Sequence, residues 1–190
     1  MCLLIILASI MLVSLIICVK FLISNSDDFY FGVEIAYGDF EDCKVLVDKV
    51  KAEKDHDYPR IIVDNNPVIP DRTASIIGKG ENPVAEIVRT LKNLEKAGAQ
   101  LIAMPCISAH YYYDDISKNA DVPLINMIEE TYNIYQVHLP ERKVGILATT
   151  GTVSSGIFSR FFSGEKLIYP DRYSQENLVM EAIYGEKGIK

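Results

Sequence analysis

Apolar residues along this chain fall into three kinds of run, and each kind predicts a different element. Four runs are short and end at polar or turn-forming residues. They are Ile61-Ile62-Val63 before Asp64-Asn65-Asn66-Pro67, Leu101 to Met104 between Gly98 and Pro105, Val122 to Ile125 after Asp121, and Val144 to Ala148 before Thr149-Thr150-Gly151-Thr152. Runs of this length, bounded this way, read as buried strands. Phe29 to Ala36 mixes aromatic and β-branched residues and reads as a further strand. A second kind is periodic: Val84, Ile87, Val88, Leu91 and Leu94 recur at helical spacing within Asn82 to Ala97. Pro83 suits the first turn of that helix and Gly98 its end. Phe40 to Val50 has the same spacing, Ser108 begins another helical stretch, and Ser154 to Phe162 follows the Thr149–Thr152 loop. The third kind is the stretch Cys2 to Val19, 18 uncharged and mostly apolar residues, followed by Lys20 and Phe-Leu-Ile.

Strands alternating with helices predict the α/β class, with parallel sheets covered by helices on both faces. The turn Leu139-Pro140-Glu141-Arg142 is the best candidate for a boundary. The expected organisation is an apolar segment over 1–23, a first α/β lobe over 24–140 carrying Cys106, and the start of a second, similar lobe over 141–190.

The apolar segment is long enough to cross the hydrocarbon core of a bilayer as a helix. It lacks a basic stretch before it and a small-x-small site after it, which argues against a cleaved signal peptide. Two readings stay open. One is a membrane anchor, with bilayer contact through residues 2–23 and Lys20 favouring a cytoplasmic domain. The other is a buried strand and helix of the first α/β unit.

Composition narrows the function classes. A chain of 190 residues with 49% hydrophobic and 24% charged residues has enough apolar material for a sizeable core. The net charge of −7 and the absence of any Lys/Arg cluster exclude a nucleic-acid surface. An anionic ligand would therefore need a local basic pocket. The cysteines Cys2, Cys18, Cys43 and Cys106 form no Cys-x-x-Cys pair, and His56, His110 and His138 lie far apart. Neither zinc nor disulfide spacing is met, so a reducing compartment and no structural metal are expected. The location expected is the cytoplasm, or a membrane with the domain on the cytoplasmic side.

Ligands of open parallel sheets bind at the carboxyl ends of the strands, which directs attention to the loops there. Cys106 follows a strand and precedes a helix start, where backbone N–H groups favour a thiolate. The plainer reading is that a cysteine packs as a small hydrophobe. Arg72 has the planar fork suited to a carboxylate, although Asp71 beside it could equally pair with it on the surface. Ser108, Thr149, Thr150 and Thr152 can offer hydroxyls to an anion or cap helices. His110, four residues after Cys106, invites a Cys-His pair; Tyr111 to Tyr113 read as packing residues.

Together, DNNPVIPDRT, GKGENPVAEIVRTLKNLEKAGAQLIAMPCISAHYYYDDI, VPLINMIEET, VGILATTGTVSSGIF and YPDRYSQENLVMEAIYGEKGIK resemble the cofactor-independent aspartate/glutamate racemase family, nearest to its aspartate racemases. The resemblance covers roughly residues 51 to 190. It implies two similar α/β lobes with the active site between them, often in a homodimer, and catalysis without pyridoxal phosphate or metal. It also implies an L/D interconversion of aspartate or glutamate by proton transfer at the α-carbon. Cys106 matches one of the family's two catalytic cysteines. Arg72 and its neighbour Thr73, Ile107 and Ser108 after the cysteine, the Thr149-Thr150 loop and Lys190 match positions that hold the substrate. Two thiols are needed because one removes the α-proton from one face of a planar intermediate while the other returns a proton to the opposite face.

Three features depart from the family pattern. No Gly-Cys-Thr-Glu loop with the second cysteine occurs before Lys190, so a truncated second lobe is expected. Ile107 stands where the family usually has Asn, and Ser108 stands for the usual Thr. The Gly-Gly-Met-Gly-Pro turn of many members is replaced by the apolar segment. The alternative expectation is therefore an inactive racemase-like protein, membrane-tethered if the anchor reading holds, that at most binds small carboxylates. A Cys106–His110 hydrolase ranks last, since no partner is visible to orient the histidine.

Overall fold

The computed structural model describes residues 4–6, 30–35, 54, 58 and 60–186. Two parallel sheets organise the chain. The first has the order β3-β2-β4-β5, built from β2 (Tyr30–Ile35), β3 (Arg60–Asn65), β4 (Leu101–Ala103) and β5 (Leu124–Ile125). The second has the order β1-β6-β7, built from β1 (Leu4–Ile6), β6 (Val144–Ile146) and β7 (Leu167–Ile168). Register in the first sheet sets Phe31 beside Ile61 and Leu101, and Ile102 beside Leu124. In the second, Leu4 pairs with Val144 and Val144 with Leu167.

Strands β4, β5 and β6 are short and fully buried. Strand β4 shows how its two faces are used. Leu101 and Ala103 pack into one apolar cluster with Ile125, Met127, Ile128, Val144, Ile146 and Phe158. Ile102 and Met104, pointing the other way by the period of two, pack into a second cluster with Ile87, Leu91, Leu94 and Ile116. The first cluster holds residues of both sheets, so the sheets share one core. Leu91 and Ile102 have no exposure at all, and cutting either back to Ala costs about 2–5 kcal/mol.

Between the strands lie α1 (Arg72–Ile76), α2 (Val84–Lys96), a 3₁₀ stretch Ile107–Tyr112 running into α3 (Tyr113–Ser117), α4 (Met127–His138) and α5 (Thr150–Ser155). After β7 the chain is helical from α6 (Arg172–Ser174) through a wide π turn (Gln175–Val179) into α7 (Met180–Tyr184). The periodic segment predicted over 82–97 is α2, with Pro83 at its N-cap. It ends as the sequence suggests: Gly98 takes φ 97°, its N–H donates to the Glu95 carbonyl, and the N–H of Ala99 donates to that of Leu94. This pairing satisfies carbonyls that a helix end leaves open.

The turn Leu139–Arg142 separates α4 from β6 and is clamped by the Tyr135 hydroxyl, whose single proton is shared between the carbonyls of Pro140 (2.7 Å) and Arg142 (2.9 Å). On its N-terminal side all the described strands except β1 belong to the first sheet. The expectation of a membrane-spanning helix over 2–23 is not supported. Leu4–Ile6 is a strand hydrogen-bonded to β6, and backbone paired in a sheet is not part of a spanning helix. The rest of that stretch lies outside the described residues, as do the helix expected over Phe40–Val50 and Cys2, Cys18, Cys43 and His56. Among the described residues no helix is long and apolar enough to cross a membrane.

Candidate functional site

Three loops leave the carboxyl ends of β3, β4 and β6, and each is built by local bonding that the sequence encodes. After β3, Asn66 folds the Pro67–Pro70 loop back on itself. Its Oδ1 accepts from the N–H of Val68 (3.1 Å), its carbonyl from Ile69 (3.3 Å), and its Nδ2 donates to Glu86 and to the Thr90 hydroxyl (2.9 Å) on α2. Asp71 then caps α1, its carboxylate accepting from the N–H of Ala74 (2.6 Å). A capping role for Asp71 replaces the surface pair with Arg72 that local sequence also allowed. Arg72 is half-buried at the first position of α1, with Nη1 donating to the Pro70 carbonyl (3.3 Å).

After β4, Cys106 is partly buried at the N-cap of the 3₁₀ stretch, and its thiol is free. His110 does not pair with that thiol. Its Nδ1 donates to the Cys106 carbonyl (3.0 Å) and its Nε2 accepts from the N–H of Met127 (3.2 Å). A carbonyl can only accept and an amide N–H can only donate, so the contacts fix the neutral Nδ1–H tautomer. Complete burial pushes the His110 pKa below the ordinary 6.5, against smaller opposing effects of its backbone hydrogen bonds. The imidazole has no nitrogen left to serve as a base for the thiol, which removes the Cys-His hydrolase reading. It acts instead as a bolt. Met127 opens α4, whose next two N–H groups, of Ile128 and Glu129, are capped by the Asn126 side chain, and His110 satisfies the one before them. Tyr112 completes the anchorage with a 2.6 Å hydrogen bond from its hydroxyl to Ser75 on α1.

After β6, Thr149 is the N-cap of α5 and its hydroxyl accepts from the N–H of Thr152 (3.3 Å). The sequence presented Thr149–Thr152 as a loop; three of its four residues open a helix.

The three loops meet through hydroxyls. Thr73 is hydrogen-bonded to Thr149 (3.1 Å), Thr149 to Thr152 (3.1 Å), and Thr152 to Ser108 (2.8 Å), with Thr152 and Ser108 buried. These three bonds use three of the four hydroxyl protons, leaving one to donate elsewhere. The approach is close enough to specify glycine at 151: a Cβ there would lie 2.9 Å from Thr73 Cγ2 and 3.0 Å from Thr73 Cα.

Of the residues singled out in the sequence, Thr73 and Thr149 are joined directly and Thr152 links them to Ser108, and Arg72 and Ile107 are chain neighbours of Thr73 and Ser108. Ile107 packs against the core shared by the two sheets. Thr150 donates its N–H to the sulfur of Met180 (3.3 Å). Lys190 lies outside the described residues. Among the described residues, no three His, Cys, Asp or Glu side chains are grouped to hold a metal ion. Three contributors escaped sequence reasoning: Gly151, Gln175, whose Nε2 donates to the Ala148 carbonyl (2.9 Å), and Met180. All three act through contacts distant in sequence, which leave no local pattern.

Comparison with known proteins bears on the family and the fold. A family model described as Asp/Glu/Hydantoin racemase matches residues 43–187. The broad specificity amino-acid racemase RacX of Bacillus subtilis is 33% identical over 126 residues, which cover 65% of this chain and 54% of RacX. The chain thus spans about half the length of that relative. Among solved structures, Picrophilus torridus aspartate racemase superposes with a TM-score of 0.70 at 29% identity, over 81% of this chain and 66% of the other. An aspartate racemase homologue from Pyrococcus horikoshii gives a TM-score of 0.62 at 20% identity, over 84% and 71%, a likeness of fold.

Proposed function

Since the chain belongs to the Asp/Glu/hydantoin racemase family, we propose that it acts on the α-carbon of a free acidic amino acid, aspartate or glutamate, with Cys106 as the acid/base thiol of one face. The observation that carries this reading is the hydroxyl chain Thr73–Thr149–Thr152–Ser108. It ties the loop that follows Cys106 to the loop that follows Arg72 and to the start of α5, at the carboxyl ends of both sheets.

In this reading the Cys106 thiolate takes the α-proton, forming S–H and leaving the electron pair on a planar intermediate delocalised into the α-carboxylate. Arg72 offers a two-pronged donor to one substrate carboxylate. Thr73, Ser108 and Thr149, whose hydroxyl chain has one proton to spare, offer together with Thr150 hydroxyl and amide donors where negative charge grows. Ile107 supplies an apolar wall, and Lys190 is expected to add a cation. Two similar lobes flank the substrate and the working unit is a homodimer. Return of the proton by Cys106 restores the starting isomer, whereas inversion requires an acid on the other face. The second reading is a protein that binds a small carboxylate without inverting it. It is favoured by Cys106 being the only cysteine among the described residues, with the others at positions 2, 18 and 43.

Incubating the purified chain with L-aspartate, L-glutamate and L-leucine in deuterated water tests both readings. Deuterium at the α-carbon together with the D-isomer, for the acidic substrates alone, is the result expected of the racemase. Deuterium without inversion assigns Cys106 a one-sided role, and binding without either signal supports the second reading. Equal reaction with leucine would contradict the preference for an acidic substrate.

A further inference from the structure

The helical segment after β7 touches the α5 loop at two points, neither of which enters the racemase reading. Gln175 is buried, at 7% exposure, and its Nε2 donates to the carbonyl of Ala148, the residue before Thr149. Met180 accepts the N–H of Thr150 on its sulfur. Residues five apart lie on different faces of a regular helix. Here the turn from Gln175 to Val179 widens to the π form, which carries position 180 round toward the face of 175. One irregularity therefore lets one segment hold both sides of Thr149.

The two contacts differ in kind. The amide of Gln175 can present only Nε2 to a carbonyl, so its orientation is fixed, and its Oε1 has no hydrogen-bond partner among the described residues. A buried amide with an unmet acceptor is a poor choice for packing alone. A thioether is a weak acceptor, so the N–H of Thr150 can readily exchange Met180 for a carboxylate oxygen.

We infer that Gln175 is a positioning residue, which pins the Ala148 carbonyl and so sets the Thr149-Thr150 edge at which a substrate carboxylate docks. The inference rests on the acidic amino-acid reading above. Its test uses the full chain, in Gln175→Leu and Gln175→Glu variants, with two readouts: amide hydrogen exchange of residues 148–153 and the affinity for L-aspartate. Gln175→Leu should speed exchange in that segment and weaken aspartate about tenfold, as expected for losing one such bond, while protection elsewhere is unchanged. Gln175→Glu should behave like Gln175→Leu at high pH and recover on acidification, because a neutral carboxyl regains a proton to donate to Ala148. Unchanged exchange and affinity in both variants would overturn the inference, as would loss of protection across the whole chain. Faster local exchange in Gln175→Leu, with no aspartate binding by the parent chain, would uphold the pinning and overturn the substrate reading.

Discussion

The loops of the two sheets meet at one chain of hydroxyls but are held in different ways. On the side of the first sheet, Asn66 has bonds to α2 and to its own loop, His110 spends both ring nitrogens on backbone groups, and Tyr112 reaches Ser75. On the side of the second sheet, α5 rests on Thr149, on the Gln175 amide and on a sulfur contact from Met180. The thiol thus sits on the more firmly bonded side and the proposed carboxylate edge on the more adjustable one. Proton transfer tolerates little displacement of the acid/base group, whereas a carboxylate can be followed by a loop that gives slightly.

Breaking the rigid side should have the larger effect on stability. Replacing His110 with Phe leaves the N–H of Met127 without its partner in a buried place, at about 1–3 kcal/mol, while the carbonyl of Cys106 keeps the N–H of Ala109 (3.1 Å). A urea melt would measure it. The same residue gives the parent chain a pH signature. Its pKa is lowered in the folded state, so the unfolded chain binds the extra proton first and stability rises with pH through that range. His110's contribution should be complete above the ordinary imidazole value of 6.5 and be lost progressively as pH falls below it. In His110→Asn, melting temperatures recorded against pH should lose that part of the acid slope.

The meeting point is the next place to press. Gly151→Ala puts a methyl group against Thr73. The overlap costs about 1–3 kcal/mol and is partly offset by the roughly 1 kcal/mol that Ala gains over Gly in a helix. Net destabilisation of about 1 kcal/mol is expected, with weaker aspartate binding as Thr73 and Thr149 are pushed apart; a thermal melt and a ligand titration read the two effects. The smallest effect belongs to the exposed ion pair of Arg160 with Asp114 (2.5 Å), which also bridges the two halves of the chain. Arg160→Ala should change stability by less than about 1 kcal/mol, as surface pairs do. A larger loss in the same melt would mean that the halves depend on charge more than on their shared core.

What was legible in the sequence follows from how local each signal is. Helix α2 declares itself through five apolar residues at one spacing and a glycine that ends it, and both survive in the structure. The loop bearing Cys106 was found because a strand ends at proline and small polar residues follow. By contrast, Leu4–Ile6 is three residues within a long apolar stretch, where periodicity cannot separate a buried strand from a spanning helix. Nothing local marks Gly151 or Gln175 either, because their partners lie 78 and 27 residues away. The Cys106–His110 pairing, ranked last on the sequence, fails for a related reason: spacing of four suggests a shared helical face with Cys106, whereas the ring is claimed by backbone groups.

The central claim is that the Cys106 thiol moves the α-proton. It is tested most directly by comparing α-deuterium incorporation into L-aspartate by the parent chain and by Cys106→Ser. A hydroxyl fills nearly the same space but is a far weaker acid, so the account predicts a fall of roughly 10²–10⁴ in exchange rate, with aspartate affinity retained. Equal exchange by the parent and by Cys106→Ser would contradict it.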